Sequence, residues 1–300
     1  MTKRVLITGI ASFTGPYIAQ ELFLNGYEIF GLSQHPFDIA YGTSLEGNLL
    51  DVRALDDIID TCKPDFVIHL AAITFVPHGD VAEMYMTNIV GTRNLLSSLS
   101  RQTSPPEKVL LASSANVYGN AVEGVLDENT NFSPANDYAT SKVAMELMAK
   151  TWSKILPISI TRPFNYTGVG QADKFLIPKL VTHFKENKPQ IELGNIDVIR
   201  DFSDVRFVSA VYRQLIEKAL PGEAYNICSG QGCTLASIIA ELNDIAGYEI
   251  DVAVNPDFIR QNEVKELVGD NRKLFGLCSP LEPIPIKDTL RWMFEKFESP

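Results

Sequence analysis

Arg4-Val5-Leu6-Ile7-Thr8-Gly9-Ile10-Ala11-Ser12-Phe13-Thr14-Gly15 joins an apolar run to a glycine-bearing turn, and helix-periodic sequence follows over residues 16–24. The run 5–8 reads as a buried strand. A tight turn between strand and helix presents backbone N–H groups to an anion at the helix N-terminus. Gly9 permits the turn, and Gly15 lets the helix pack closely. The spacing is that of a Gly-x-x-Gly-x-x-Gly dinucleotide turn with Ser12 in place of the middle glycine. That serine adds a side chain where backbone and pyrophosphate would approach, so an altered cofactor affinity is expected. Gly9, Ser12, Phe13, Thr14 and Gly15 are the candidate contacts. Taken alone, the turn is equally an ordinary glycine-containing βα connection, and the later motifs weigh against that.

The alternation continues outward. Residues 27–32 read as a second strand. Leu55, Ile58, Ile59 and Cys62 fall at i, i+3, i+4 and i+7, one face of a helix. A strand over 66–70 precedes a long helix lined by Met84, Asn88, Ile89, Leu95, Leu96 and Leu99. Strand 109–112, helix 138–152 and strand 158–161 complete the series. Strands apolar at nearly every position are buried on both faces, as in a parallel sheet covered by helices. The expected class is α/β, a doubly wound parallel sheet of Rossmann type with a smaller, loop-rich C-terminal substrate lobe. After Pro163, segments rich in Pro, Gly, Asn and Asp recur at 165–173, 194–201 and 255–263. Residues 1–165 are expected to bind the dinucleotide, with a return of about 200–228, and 166–300 to form mainly the substrate lobe. The crevice belongs beyond the carboxyl ends of the strands.

Composition narrows the partners. The 300 residues are 45% hydrophobic and carry a formal net charge of −11. A nucleic-acid binder needs a basic stripe, so none is expected. No run approaches the roughly 20 apolar residues of a membrane span. Lys3 and Arg4 before the apolar run resemble the start of a signal peptide, but Thr8-Gly9 ends that run early. Cys62, Cys228, Cys233 and Cys278 form no Cys-x-x-Cys pair, which fits buried thiols in a reducing cytoplasm and no metal.

An NAD-specific turn places Asp or Glu at the end of the second strand, on the ribose 2′-hydroxyl. Here Ser33-Gln34-His35 follows Leu32. The expectation leans to NADP with NAD tolerated, although Ser33 is also simply a polar loop residue. Asp51, followed by Val52, either holds the adenine edge or caps the next helix, or does both.

Tyr138-Ala139-Thr140-Ser141-Lys142 puts a phenol and an ammonium at i and i+4 on one helix face. A nearby cation lowers a phenol's pKa, and proton transfer near neutrality benefits. With 10 Tyr in the chain, a Tyr-x-x-x-Lys match arises by chance about half the time, so its weight comes from its neighbours. Strand 109–112 runs into Ser113-Ser114-Ala115-Asn116-Val117-Tyr118-Gly119. A hydroxyl at the carboxyl end of a central strand opens on the crevice. Ser114, 24 residues before Tyr138, is favoured as the group that binds a substrate carbonyl, and Ser113 is left undecided.

Turn, serine and Tyr-x-x-x-Lys together resemble the extended short-chain dehydrogenase/reductases that modify nucleotide sugars, over nearly the whole chain. The resemblance implies that Leu70, Ala71 and Ala72, after His69, line the cofactor. It implies that Asn88 and residues 91–96 lie beside the active site, and that Pro163 and Asn165 of Arg162-Pro163-Phe164-Asn165 meet the ligands. Arg200 and the segment to Val205, with Arg260, Glu263 and Val264, resemble the nucleotide-binding motifs of GDP-mannose dehydratases and GDP-4-keto-6-deoxymannose reductases. In the dehydratases an Asp-Glu pair follows the catalytic Ser or Thr. Here Ala115 and Asn116 stand there, and neither can act as acid or base. They resemble the corresponding residues of UDP-galactose 4-epimerases. Guanidinium forks also suit a diphosphate on physical grounds, against the alternative of solvated surface charges for Arg200 and Arg260.

The expectation is thus an NAD(P)H-dependent 4-ketoreductase acting on a nucleotide-diphosphate sugar. Ser114, Tyr138 and Lys142 are its catalytic set, and Thr74, Asn88, Asn165, Arg200, Arg260 and Glu263 its substrate contacts, with Tyr166 near the sugar carbon. A 4-epimerase with bound NAD is the alternative. A non-catalytic cofactor sensor ranks below both. A homodimer through helices 88–99 and 138–152 is implied by the resemblance.

Overall fold

The computed structural model describes residues 2–74, 80–119, 124–258, 265–278 and 280–296. In chain order the first elements are β1 (Arg4–Thr8), α1 (Gly15–Leu24), β2 (Glu28–Ser33), β3 (Thr43–Glu46), α2 (Val52–Cys62) and β4 (Phe66–His69). Then come α3 (Val81–Tyr85), α4 (Thr92–Ser100), β5 (Lys108–Ala112), β6 (Gly124–Leu126), α5 (Asp137–Lys150), β7 (Ile158–Pro163), β8 (Asn165–Thr167) and α6 (Leu176–Lys185). The last are β9 (Gln190–Leu193), β10 (Ile199–Asp204), α7 (Val205–Lys218), β11 (Ala224–Ile227), β12 (Gly232–Thr234), α8 (Leu235–Ala246), β13 (Asp251–Val254), β14 (Glu266–Gly269), α9 (Arg272–Leu277) and α10 (Ile286–Glu295).

Seven strands form one sheet in the order β11-β7-β5-β4-β1-β2-β3, parallel throughout. The expected doubly wound sheet is therefore present. Its helices bury one apolar layer on each face. On one side α1 and α7 close over Val5, Ile7, Ile68 and Leu110. On the other, α2, α4 and α5 close over Leu6, Val67, Val109 and Leu111. Consecutive strand residues serve opposite layers, which is why these strands are continuously apolar. The chain leaves β1 in one direction for β2 and β3, and in the other for β4, β5, β7 and β11. The crevice opens at this reversal.

The long helix expected around residues 84–99 is interrupted. A π-helical segment, Met86–Gly91, joins α3 to α4. Asn88 lies in it, 1% exposed. Its Oδ1 accepts from Ile73 N (2.8 Å), and its Nδ2 donates to Ile73 O and Ser141 Oγ (both 3.0 Å). The wider turn brings a buried amide to the otherwise unpaired backbone after β4, a typical use of a π segment. His69 is equally enclosed, between Thr8 Oγ1 (2.6 Å) and Thr92 Oγ1 (2.8 Å), and burial pushes its imidazole down to about 3.

The second sheet runs β12-β10-β14-β6, with β8 beside β10, and β9 pairs with β13. Its main core joins Ile177, Leu180 and Phe184 of α6 to Ile238, Ile239 and Leu242 of α8 and Leu290 of α10. Asp201 of β10, fully buried, accepts from Ser229 N, Ser229 Oγ, Gly230 N and Gly269 N at 2.7–3.3 Å. Asp204 caps α7, pairs with Arg206 and accepts from Thr289 of α10 at 2.7 Å. No helix among the described residues is long and apolar enough to cross a membrane.

One buried ion pair couples α5 to β7. Arg162 donates from Nε to Glu146 Oε1 (3.0 Å) and from Nη2 to Oε2 (2.7 Å). Its Nη1 reaches Tyr118 Oη and Glu128 O, each at 3.0 Å, and its guanidinium lies 4.9 Å from the Phe132 ring centroid. Removing one partner strands the other's charge in the interior. Glu146→Gln is expected to cost about 3–5 kcal/mol of stability, read from the urea midpoint. A change below about 1 kcal/mol would assign this pair no more weight than a surface bridge.

Candidate active site

At the strand reversal lies a crevice of about 2050 Å³. Pockets for one ligand usually hold about 300–1,000 Å³, so this one has room for two. One wall is the β1–α1 turn, with Ser12, Phe13 and Thr14. The floor is the end of β5 with Ser113 and Ser114, and Tyr138 and Lys142 of α5 stand above it. The other wall comes from Pro163, Asn165 and Tyr166, and then from Gly194, Asn195 and Arg200.

The turn is shaped for close approach. Gly9 has φ +73°, and a Cβ there would lie 2.7 Å from Ala71 N. At Gly15 a Cβ would lie 2.2 Å from the Ile10 carbonyl oxygen. Both positions therefore require glycine, and the backbone of the turn borders the crevice as a cradle that fits a pyrophosphate. Leu70 and Ala72 line the same wall, while Ala71 packs under Gly9. Ser12 Oγ accepts from Gly15 N at 3.3 Å, so its hydroxyl already engages a donor at the helix start. Thr14 is tied across the crevice to Tyr166, with Oγ1 2.8 Å from Oη. Phe13 stacks on the Tyr166 ring with centroids 6.0 Å apart.

Ser114 caps the short helical turn Ala115–Tyr118, its Oγ accepting from Asn116 N at 3.2 Å. Burial, and after it Tyr166, push the Tyr138 phenol up to about 12, while the Ser114 hydroxyl works in the opposite direction. Lys142 Nζ donates to Ala112 O at 2.7 Å and sits 5.9 Å from the Tyr138 ring centroid. Burial brings this ammonium down to about 8, against the pull of Glu146. Lys142 gives one of its three N–H groups to the β5 carbonyl, and burial is the largest influence on both the phenol and the ammonium. Ser113 Oγ is buried with no hydrogen-bond partner among the described residues.

The remaining expected residues divide. Thr74, Asn165 and Arg200 border the crevice. Asn165 Nδ2 donates to Asp201 O (3.3 Å), and Arg200 Nη1 to Ile199 O (2.8 Å). Asn88 is not brought to the crevice, since its amide is consumed by Ile73 and Ser141. Ser33 is buried and its hydroxyl donates to the His35 carbonyl. Asp51 caps α2, accepting from Arg53 N (3.0 Å) and Ala54 N (3.1 Å), with Val52 as the first helical residue. Neither Asp51 nor Val52 lines the crevice, so capping is the role this geometry displays. Arg260 and Glu263 lie outside the described residues. Sequence reasoning missed Tyr212, which lines the crevice from α7 and bonds Thr161 (2.8 Å), and the loop residues Phe37 to Tyr41. Only folding brings α7 here. The loop's single carboxylate, Asp38, was legible as a charge but not as a neighbour of the crevice.

Residues 5–228 match the NAD dependent epimerase/dehydratase family. The chain is 32% identical to GDP-6-deoxy-D-talose 4-dehydrogenase of Aggregatibacter actinomycetemcomitans, covering 91% of this chain and 90% of that one. It is also 32% identical to GDP-6-deoxy-D-mannose reductase of Pseudomonas aeruginosa, covering 100% and 98%. A crystal structure of a candidate epimerase from Burkholderia cenocepacia J2315 superposes with a TM-score of 0.93 at 49% identity, covering 98% and 97%. Among solved structures similar to this one, some hold NADPH and others NAD. The fold, the glycine cradle and the matched sequence agree: this chain belongs to the NAD dependent epimerase/dehydratase family, the extended short-chain dehydrogenase/reductases, whose enzymes use NAD or NADP.

Proposed function

We propose that the protein is an NAD(P)H-dependent reductase of a nucleotide-linked 4-keto-6-deoxyhexose. The substrate we infer is GDP-4-keto-6-deoxy-D-mannose, giving a GDP-6-deoxyhexose of the GDP-D-rhamnose type. One observation carries this. Ser114, Tyr138 and Lys142 meet in a two-ligand crevice, while the positions after Ser114 hold Ala115 and Asn116. A proton donor is kept, and the acid–base pair needed to eliminate water is not. The names of the two curated relatives support a GDP-linked deoxyhexose.

The dinucleotide supplies the hydride when bound. Gly9, Ser12, Phe13, Thr14 and Gly15 would hold its pyrophosphate, Leu70, Ala72 and Pro163 would flank it, and Lys142, with N–H groups beyond the one given to Ala112 O, would take its ribose hydroxyls. Tyr138 is protonated at neutral pH, as the acid of a reduction must be. It passes the Oη proton to the carbonyl oxygen as the alkoxide forms, and the Ser114 hydroxyl donates to the same oxygen. Arg200 meets the diphosphate, and Thr74, Asn165 and Tyr166 border the sugar. Residues 1–165 with a return of about 200–228 would bind the dinucleotide, although β10 at the start of that return lies in the second sheet and only α7 and β11 rejoin the first, and 166–300 would bind mainly the sugar nucleotide. The packing of α7 on α1 and the pairing of β11 with β7 support that division. We place the enzyme in the cytoplasm as a homodimer through residues 88–99 and 138–152, the second of which exposes Leu147.

Loss of reduced-nicotinamide absorbance with GDP-4-keto-6-deoxy-mannose tests the reaction. A second reading, a 4-epimerase, is favoured by the likeness to the Burkholderia protein and by Ala115-Asn116. Co-purified NAD, with no net absorbance change on turnover, would establish it instead.

Tyr138→Phe is expected to lower kcat about 10²–10⁴-fold with dinucleotide affinity kept. Near-wild-type turnover, under conditions where chemistry limits the rate, removes Tyr138 from the mechanism. The wild-type kcat/KM for the dinucleotide should fall as pH rises through about 8, where Lys142 loses its charge. Lys142→Met should flatten that limb, and a limb unchanged in the variant assigns it to another group. Light scattering at a mass of one chain would remove the dimer.

A further inference from the structure

The adenosine side of a doubly wound sheet is built by β1, β2 and the connections that follow them. In this chain residues 5–52 contain no lysine and no arginine, but five carboxylates: Glu21, Glu28, Asp38, Glu46 and Asp51. One of the five reaches the crevice. The loop between β2 and β3 brings Phe37, Asp38, Ile39, Ala40 and Tyr41 to its wall beside Gln20 of α1. Phe37, Ile39 and Tyr41 pack against the main core, and Tyr41 meets the Phe23 ring at 5.4 Å. Asp38 is exposed between two of these anchors, so its carboxylate stays at the rim.

The cations lining the crevice are, among the described residues, Lys142, Lys174, Lys179 and Arg200. Lys142 is at the catalytic centre, and the other three come from the second lobe. None comes from the segment around the adenosine. Ser33, at the strand end where a ribose contact is usual, is turned to the His35 carbonyl.

We infer that the chain selects NAD(H) over NADP(H), and that Asp38 is the residue that excludes the 2′-phosphate. This rests on the proposed use of a dinucleotide and deepens it. A phosphate monoester carries close to two negative charges at neutral pH. It would meet the Asp38 carboxylate and, among the described residues lining the crevice, no guanidinium or ammonium from β1, β2 or the loop that follows. The ribose hydroxyls of NAD(H) can instead donate to that carboxylate. The leaning towards NADP rested on the missing acid at Ser33, and the acid is supplied five residues later by a loop whose path periodicity does not disclose.

Direct titration of the protein with NADH and with NADPH, without any sugar, tests this separately from the reaction. NADH should bind at least tenfold more tightly. Asp38→Asn should narrow that ratio several-fold, mainly by improving NADPH. Asp38→Arg should bring it to unity or invert it. Asp38 is exposed, so both variants should keep the wild-type melting temperature. Equal or tighter binding of NADPH by the wild type overturns the inference, and so does a ratio that neither variant moves. Failure of both dinucleotides to bind would overturn the proposed function along with it. NADH preference without turnover of the GDP-sugar would uphold the inference and reject only the substrate.

Discussion

The buried pair of Arg162 and Glu146 fixes the relation between the helix that carries the proton-transfer residues and the strand that leads to the second lobe. Tyr138, Lys142 and Glu146 lie at i, i+4 and i+8 on α5, one stripe of one face. The last of them is clamped to β7, and the first two are thereby set over the end of β5. From Arg162 the chain runs through Pro163 to Asn165 and Tyr166, which form the opposite wall. A buried bridge is a weak source of net stability, because desolvating two charges offsets much of their attraction. Its use here is geometric. A bidentate fork with further bonds to Tyr118 and Glu128 admits few alternative placements of α5.

Around that clamp the two lobes are joined by contacts at the cofactor turn itself. Thr14 is bonded to Tyr166 and Phe13 is stacked on it, while Tyr17 bonds Val169 O at 2.7 Å and meets Trp292 edge-on. Arg206 lies 3.8 Å over the Trp292 ring and is paired with Asp204. The segment that would receive the dinucleotide is thus packed directly against the lobe proposed for the sugar nucleotide. Two ligands in one crevice would share a wall made of both lobes, and neither would have a site independent of the other's surroundings.

Electrostatics within the site follow burial more than sequence proximity. Tyr138 and Lys142 are four residues apart, and an isolated helix would favour a simple phenol–ammonium pair. In the folded chain the ammonium finds the Ala112 carbonyl, and desolvation pushes the phenol up and the ammonium down. Burial thus acts on the two groups in opposite directions, raising the one and lowering the other.

The sheet and its crevice were legible in the chain because their signals are local. Apolar runs such as Phe66 to Ile68 and Val109 to Leu111 cannot avoid burial on both faces, and Gly9 and Gly15 are demanded by steric contacts a few residues away or across one strand. The serine after β5 and the Tyr-x-x-x-Lys pair were legible for the same reason, since spacing along one strand end or one helix is preserved on folding. Where Asn88, Tyr212 and Asp38 would point was not. Asn88 turns inward because a π segment rotates it onto the backbone of Ile73, and no periodicity announces that extra residue per turn. Tyr212 arrives from a helix 70 residues beyond Lys142. Asp38 arrives on a loop held by apolar anchors on either side. Sequence alone determined which residues have to be strand, turn and helix, because those choices answer to neighbours within a few positions. Tertiary structure decided which polar groups are consumed by the fold and which are left facing the crevice, because hydrogen-bond partners and desolvation are set by elements far apart in the chain.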